Sequence, residues 1–344
     1  DYASFMRRKV YMLSNSFERK HLLKRVPRPL RRRSKKVEPI APAMALSVLE
    51  KEIALLQRQN KSLLASKDYE LFLSSALEIP NILTEIGRQR EMAFRAVGEG
   101  TNKPLDLDHF DQDYLHLFLW DHNAKSMVGA YRLGLGKVLM NKRGISGFYL
   151  AELFKFDTEI HYMLNNTMEL GRAFVAQEYQ QRPMPLFLLW KGIIHATLRH
   201  PEYDYLMGSV SISNQFSKFT KSLMIEFMRS HYYDPFLAQY ITPKKQFKVK
   251  LNDADKEFVF GETSADLNKF DKLIEEVEPG ALRLPVLIKK YIKQNARVVS
   301  FNVDPLFNYA IDGLMYIKVK DIPANTVQPV LEEFQASLEA NNSV

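Results

Sequence analysis

The chain has 344 residues, 46% of them hydrophobic, no cysteine and a formal net charge of +8. That length suits one large core or two modest ones, and the missing cysteines exclude disulfides, thiolate metal ligands and a cysteine nucleophile. No apolar run approaches the roughly 20 residues that cross a bilayer, since Lys191 interrupts the most apolar stretch, Met184–Ile194.

The charge is unevenly placed. Residues 1–37 hold 13 Lys and Arg against 2 Asp and Glu; removing them from the totals of 48 and 40 leaves 35 basic and 38 acidic residues. The basic character therefore belongs to an N-terminal arm, which argues against a nucleic-acid-binding core. A polybasic arm with interspersed Phe, Tyr and Leu suits an anionic membrane surface, and equally a solvated linker. With no transmembrane segment and no cysteine, the expected location is cytoplasmic, peripheral at the inner membrane face. The first residue is Asp1, so the chain is expected to be processed or a piece of a longer protein.

In chain order, residues 38–65 are read as an amphipathic helix, because Leu46, Leu49, Ile53 and Leu56 recur at helical spacing. Residues 66–325 form the main domain and 326–344 a C-terminal helix or tail. Within the domain, Tyr69–Ser74 reads as a strand and Ile79–Val97 as a helix. A loop follows with Asp106, Asp108, Asp111 and Asp113. Tyr114–Trp120 and Met127–Leu135 read as a hairpin, and Phe148–Phe156 as mostly helical. A strand from Met168 then runs through the turn Gln177–Arg182 into a helix after Pro183 and Pro185. Beyond it come strand Tyr205–Ser211 and helix Gln215–Arg229. Helices near Ala265–Val277 and Pro285–Gln294 follow, then strands Val298–Val303 and Leu314–Val319. Alternating elements with an early hairpin predict a mixed α/β sheet with helices on both faces.

Several motif matches fail on context. His116 and Asp121 share the His-x4-Asp spacing of glycerolipid acyltransferases, but on a strand their odd separation points them to opposite faces. Gly134-x-Gly136 lacks a third glycine and the strand-turn-helix setting of a dinucleotide loop. No metal-ligand pattern and no Gly-x-Ser-x-Gly occurs, so no metal site is predicted. The acids of the 106–113 loop lack the glycine and final glutamate of a calcium loop, which leaves hydrogen-bonding and capping roles.

A second polar set is more informative. Arg88, Glu91 and Arg95 share one helical face that suits ion pairs. Arg132 and Arg172 lie in apolar strands, where a charge has to be paired or functional. Glu169 and Arg172 are separated by an odd number of residues. A bulge at Gly171 would bring both to one cleft.

These segments resemble a known family. ELGRAFV, LFLLWKGI and GSVSIS, with EIPNILTEIGRQREMAFRAVGEGT and DLDHFDQDYLHLFLWD upstream and LPVLIKKYIKQNARVVSFNVDPLFNYAIDGLMYI downstream, are similar to the N-acyltransferases that make lyso-amino-lipids of the ornithine-lipid and glycine-lipid type. These proteins are often called hemolysin-like; they belong to the GNAT superfamily and are related to acyl-homoserine-lactone synthases. The resemblance spans most of Ser66–Pro323. It implies a GNAT-like twisted sheet, a 3-hydroxyacyl donor held as the phosphopantetheine thioester of acyl carrier protein or as acyl-CoA, an amino-acid acceptor and no permanently bound cofactor. An upstream phospholipid-acyltransferase-like domain occurs in some relatives. Arg90-x-x-x-Phe94, Asp106, Asp111, Arg132 and Glu169-x-x-Arg172 fall where the related synthases keep their characteristic residues.

One departure bears on the donor. The usual GNAT turn is glycine-rich and cradles the CoA pyrophosphate with backbone N–H groups. Here it reads QEYQQRPMP, which favours acyl carrier protein. In the expected mechanism Glu169 is the base that deprotonates the acceptor amine. Arg172 or Arg132 pairs with Glu169 or holds the acceptor carboxylate. Backbone N–H groups near Gly171–Phe174, with Val175 beyond, serve the oxyanion, while Arg90 and Phe94 shape the donor pocket. Two other classes stand beside this reading: a signal synthase using S-adenosylmethionine, and a membrane-associated acyl-binding module without turnover.

Overall fold

An eight-stranded sheet runs in the order β1 (Ser62–Ser66), β2 (Tyr69–Ser75), β3 (Leu115–Asp121), β4 (Ser126–Leu135), β6 (Thr167–Val175), β7 (Tyr205–Ile212), β10 (Ala310–Lys318), β9 (Arg297–Asp304), and its β6–β7 pair is parallel while the other ladders are antiparallel. The computed structural model describes residues 37–253, 255–257, 265–278 and 283–342, with Ala3, Met6 and Val10 besides; side chains beyond residue 336 are not described. The polybasic arm and the membrane role expected of it therefore fall almost wholly outside the described residues.

Helix α1 (Leu46–Arg58) buries Leu49, Ile53 and Leu56, spaced so that they form one stripe. Asn60, at φ 53°, then turns the chain, and Ser62–Ser66 forms edge strand β1. This corrects the helical reading of 38–65: the periodicity stops at Arg58, and the following residues pair with β2 (Tyr69–Ser75). Helix α2 (Pro80–Ala96) has Pro at its first position, where the missing N–H costs nothing. Strands β3 (Leu115–Asp121) and β4 (Ser126–Leu135) form the expected hairpin.

Three short helices follow, α3 (Gly136–Arg143), α4 (Leu150–Leu153) and α5 (His161–Asn165). Between the last two lies β5 (Phe154–Phe156). The mostly helical reading of Phe148–Phe156 is corrected here: one helical turn gives way to a strand, because β5 finds a distant partner in β8 (Ile241–Pro243). Strand β6 (Thr167–Val175) leads through a 3-10 turn into α6 (Pro183–Arg199). Then come β7 (Tyr205–Ile212), α7 (Lys218–Tyr232), α8 (Pro235–Ala238) and β8 (Ile241–Pro243). The described chain closes with α9 (Leu267–Val277), α10 (Val286–Ile292), β9 (Arg297–Asp304), β10 (Ala310–Lys318) and α11 (Ala324–Asn342).

Strand alternation sorts the core into two faces. Phe72, Phe118, Trp120, Ala130 and Phe174 pack against α1 and α2. Leu71, Leu117, Leu119, Tyr131 and Leu133 pack against α6 and the helices beyond it. Each fully buried Leu or Phe of these layers contributes about 1.5–3 kcal/mol. Gly192 lets α6 lie close on the sheet, since a Cβ there would stand 2.2 Å from Leu71 Cδ2.

The sheet contains a gap. β6 and β7 pair from Thr167↔Tyr205 to Glu169↔Met207, whereas β7 continues along β10 as far as Ile212. The parallel strands therefore part beyond Glu169, and a wedge opens between them.

Candidate active site

Three arginines and three aspartates meet at one side of the wedge. Arg90, from α2, reaches Asp106 at 3.0 Å and Asp111 at 3.1 Å, and its guanidinium also donates to the Asp106 carbonyl. Arg132, from β4, pairs with Asp108 at 2.6 Å and Asp111 at 3.2 Å. Arg172, from β6, pairs with Asp108 at 3.2 Å and lies 3.6 Å from Asp106. The set is formally neutral, which is how three buried guanidiniums are tolerated. Burial works against ionisation of Asp111, yet Arg90 and Arg132 hold its carboxyl well below the usual carboxylate range. Asp108 also caps the 3-10 turn His109–Gln112 by accepting from Phe110 N, and Asp111 accepts from Asp108 N. The capping role read from sequence is present, and the acids pair with arginines besides. Glu91, fully buried on α2, accepts from Thr101 N and Asn102 N and pairs with Arg95 at 2.6 Å, which ties down the loop after α2.

Aromatic rings enclose the cations. Arg172 lies 4.6 Å from the ring centres of both Tyr149 and Phe307, and Arg132 lies 4.9 Å from Tyr114.

Glu169 stands apart from this network. Its carboxylate accepts from Tyr114 Oη at 2.7 Å and from Leu150 N at 3.2 Å, and it is 1% exposed. The sequence offered Arg132 or Arg172 as its partner; the structure gives it a phenol and a backbone amide, because both arginines are committed to the aspartate loop. Desolvation pushes its carboxyl up to about 7, against the opposing pull of Tyr114 and of Arg132.

The bulge lies where β6 needs it, one residue later than Gly171. Ala130 pairs with Phe174 and Arg132 with Gly171, so Tyr131 faces two residues, Arg172 and Ala173. Arg172 itself adopts the left-handed conformation, φ 51°, which an L side chain occupies only when its surroundings hold it there. Gly171 has an ordinary φ, and a Cβ at this position would meet nothing within 4 Å.

The wedge holds two adjoining clefts. A cleft of about 240 Å³ is lined by Glu169, Gly171 and Arg172 from β6, Ser209 and Ser211 from β7, Asp312 from β10, and Phe94 and Tyr149. A larger one of about 850 Å³ is lined from both faces of the sheet, by Phe94, Ala173, Phe174, Val175, Tyr131, Leu186, Phe187 and Leu287, with Arg182 and Lys290 among its lining residues. Arg172, Tyr149 and Phe307 also border a third cleft of about 420 Å³, which reaches Lys244 and Lys245.

The residues picked from sequence therefore divide. Arg90, Asp106, Asp111, Arg132 and Arg172 form the ion-pair network. Glu169, Gly171 and Phe94 line the small cleft, and Phe174 and Val175 the large one. Sequence reasoning passed over Tyr114, Tyr149, Phe307, Glu99 and Asp312. The aromatics carried no signal, since aromatic side chains usually serve the core. Asp312 did carry one: it is an acid inside the apolar strand AIDGLMYI, as anomalous there as Arg132 in β4.

Residues 89–190 match the family described as an acetyltransferase (GNAT) domain. A glycine N(alpha)-acyltransferase of Phocaeicola vulgatus is 29% identical over 286 residues, covering 79% of each chain. A protein of the same name from Bacteroides thetaiotaomicron is 28% identical over 272 residues, covering 74% of this chain and 78% of its own. Among solved structures, a CoA-dependent acyl-homoserine lactone synthase aligns over 76% of this chain and 88% of its own at 9% identity, with a TM-score of 0.36. The GNAT acetyltransferase match from α2 into α6 and the two acyltransferase relatives along most of the chain support an acyltransferase enzyme.

Proposed function

We propose that the protein moves a (3-hydroxy)acyl chain from the thioester of acyl carrier protein to the amino group of an amino acid, giving a lyso-amino-lipid. The observation that carries this reading is Glu169: a carboxylate with no ion-pair partner among the described residues, sunk at the point where β6 and β7 part, with its protonation midpoint near neutrality. An amine attacks a thioester only after losing a proton, and a base poised near 7 takes that proton most effectively. Glu169 is the base and Arg172 orients the acceptor, bordering both the small cleft and the lysine-bearing one. N–H groups along Gly171–Phe174, beyond the last β6–β7 pair, are the proposed donors to the charge that develops on the thioester oxygen.

The larger cleft suits the donor, because Phe94, Phe174, Leu186 and Leu287 give it apolar walls. Helix α6 offers few donors to a pyrophosphate. Pro183 and Pro185 take two of its first three positions, which leaves Met184 and Leu186 as N–H donors among the first four. This supports a single phosphopantetheine phosphate on a carrier protein over CoA. The acceptor class follows the relatives, both named for glycine.

Among the described residues no helix is long and apolar enough to cross a membrane. The proposed location, peripheral on an anionic inner membrane face, rests on the arm of residues 1–36. Flotation with anionic liposomes should capture the full chain and lose it on deletion of the arm or at high salt. The function is tested by incubating the chain with acyl carrier protein or CoA thioesters and mixed amino acids, then identifying products by mass spectrometry. An N-acyl amino acid is expected, faster from the carrier protein. Free acid alone, or an acyl lactone, would overturn the reading.

A further inference from the structure

A second carboxyl group shares the small cleft with Glu169. Asp312 projects from β10 into the space that Glu169 enters from β6. The β7–β10 register sets Asp312 beside Ser211, at the level where β6 has already turned away. Its hydrogen-bond partner is Ser209 rather than a cation.

The surroundings are unusual for an aspartate. Glu99 stands on the same wall, accepting from Ser211 Oγ at 2.7 Å, and Asp304, on β9, lies close enough to raise Asp312 further. Arg172 is the nearby cation, and it is already engaged with Asp106 and Asp108. Tyr149 completes the wall as a phenol, held neutral by burial. A buried carboxyl facing other carboxyls holds its proton; it then serves as a hydrogen-bond donor rather than an anion.

Thioester aminolysis needs such a donor. We propose that Asp312 gives its proton to the sulfur that leaves when the thioester is cleaved; this role rests on the N-acyltransferase reading of the cleft. The incoming ammonium first loses one proton to solvent by way of Glu169. The amine nitrogen then attacks the carbonyl carbon and the C–S bond breaks. The second nitrogen proton goes to Glu169, while the Asp312 proton goes to sulfur. Amide, thiol and one released proton balance ammonium plus thioester, and exchange with water returns Glu169 to its ionised form and Asp312 to its acid form. Burial, with Asp304 and Glu99, pushes Asp312 up to about 8, whereas burial brings Glu169 to about 7. Near neutral pH one carboxyl is therefore ready to accept and the other to donate.

The test uses Asp312→Asn, nearly isosteric, with two donors of one acyl chain. One carries an alkyl thiol and the other an aryl thiol acidic enough to leave unaided. The variant should lose about 10²-fold in kcat with the alkyl thioester and return to within a few fold of the parent with the aryl thioester. The alkaline limb of the parent's pH profile, near 8, should disappear. Glu169→Gln should fall on both donors, because the base acts on the amine. Equal losses of Asp312→Asn on both donors, or no loss, would overturn the role while leaving the N-acyltransferase reading intact. Infrared difference spectra give a readout apart from turnover. The carboxylic-acid C=O absorption of the parent at pH 7 should fall by the share of Asp312 in Asp312→Asn while that of Glu169 remains, and a parent without the Asp312 contribution also refutes the assignment. If the parent forms no amide from either donor, the underlying reading falls and this role with it.

Discussion

Glu169 and Arg172 sit three residues apart on one strand, yet they do not pair: Glu169 accepts from Tyr114 Oη at 2.7 Å, and Arg172 reaches Asp108 at 3.2 Å. Both line the small cleft, and the bulge at Arg172–Ala173 lies beyond Glu169 on β6. Among the described residues one carboxylate is left desolvated with no ion-pair partner, and one guanidinium is held among aromatic rings.

Replacing Glu169 by Gln should lower kcat/KM for acyl transfer by about 10²-fold or more. The parent should rise with pH through about 7, as Glu169 ionises, and the variant should lose that limb. Stability should move the other way. The folded chain holds this proton from the ordinary value of 4.5 up to about 7, so the protonated carboxyl's contribution is full below 4.5 and is lost as pH rises through 7. That is worth about 3 kcal/mol. Thermal melts of Glu169→Gln between pH 5 and 8 should therefore slope less than those of the parent; identical slopes would contradict the assigned environment.

Arg172→Lys keeps the charge but loses the planar fork that reaches Asp108 and stacks between Tyr149 and Phe307. A fall of about 10–100-fold in kcat/KM is expected, corresponding to about 1.4–2.8 kcal/mol. Arg172→Gly should relieve about 1 kcal/mol of left-handed strain yet transfer no better. Steady-state kinetics over a range of acceptor concentrations separates the two effects.

Arg132 is as deeply buried as Arg90, and its removal takes a partner from both Asp108 and Asp111. Arg132→Met should cost about 3–5 kcal/mol of stability. Adding Asp111→Asn should cost less than the sum of the single changes, since the second carboxylate no longer needs a partner. A double-mutant cycle in urea measures the coupling, and strict additivity would mean that the pair does not act as a unit.

Two glycines should behave oppositely. Gly171→Ala places a methyl where nothing lies within 4 Å, so stability should change by no more than about 0.5 kcal/mol while the methyl intrudes on the small cleft and slows transfer. Gly134→Ala would bring a Cβ to 2.5 Å from Tyr114 Cε1, which should cost about 1–3 kcal/mol of overpacking and shift the phenol that holds Glu169. Comparing melting with turnover for both variants separates a glycine kept for the cleft from one kept for packing.

Strand and helix order, the β3–β4 hairpin and the strand-to-helix unit through α6 were legible because each rests on local periodicity, prolines and turn residues. Arg132 and Arg172 were legible as anomalies, since a charge in an apolar strand demands a partner. The bulge was foreseeable from the parity of Glu169 and Arg172. What only the tertiary structure decided is non-local. β5 became a strand because β8 reached it across more than eighty residues. Tyr114, rather than an arginine, came to Glu169 because the aspartate loop had already taken both cations. Asp312 met Glu169 in one cleft because β6 and β7 part while β7 keeps its register with β10. Residue identity set which groups could ionise; burial and register set which of them hold a proton.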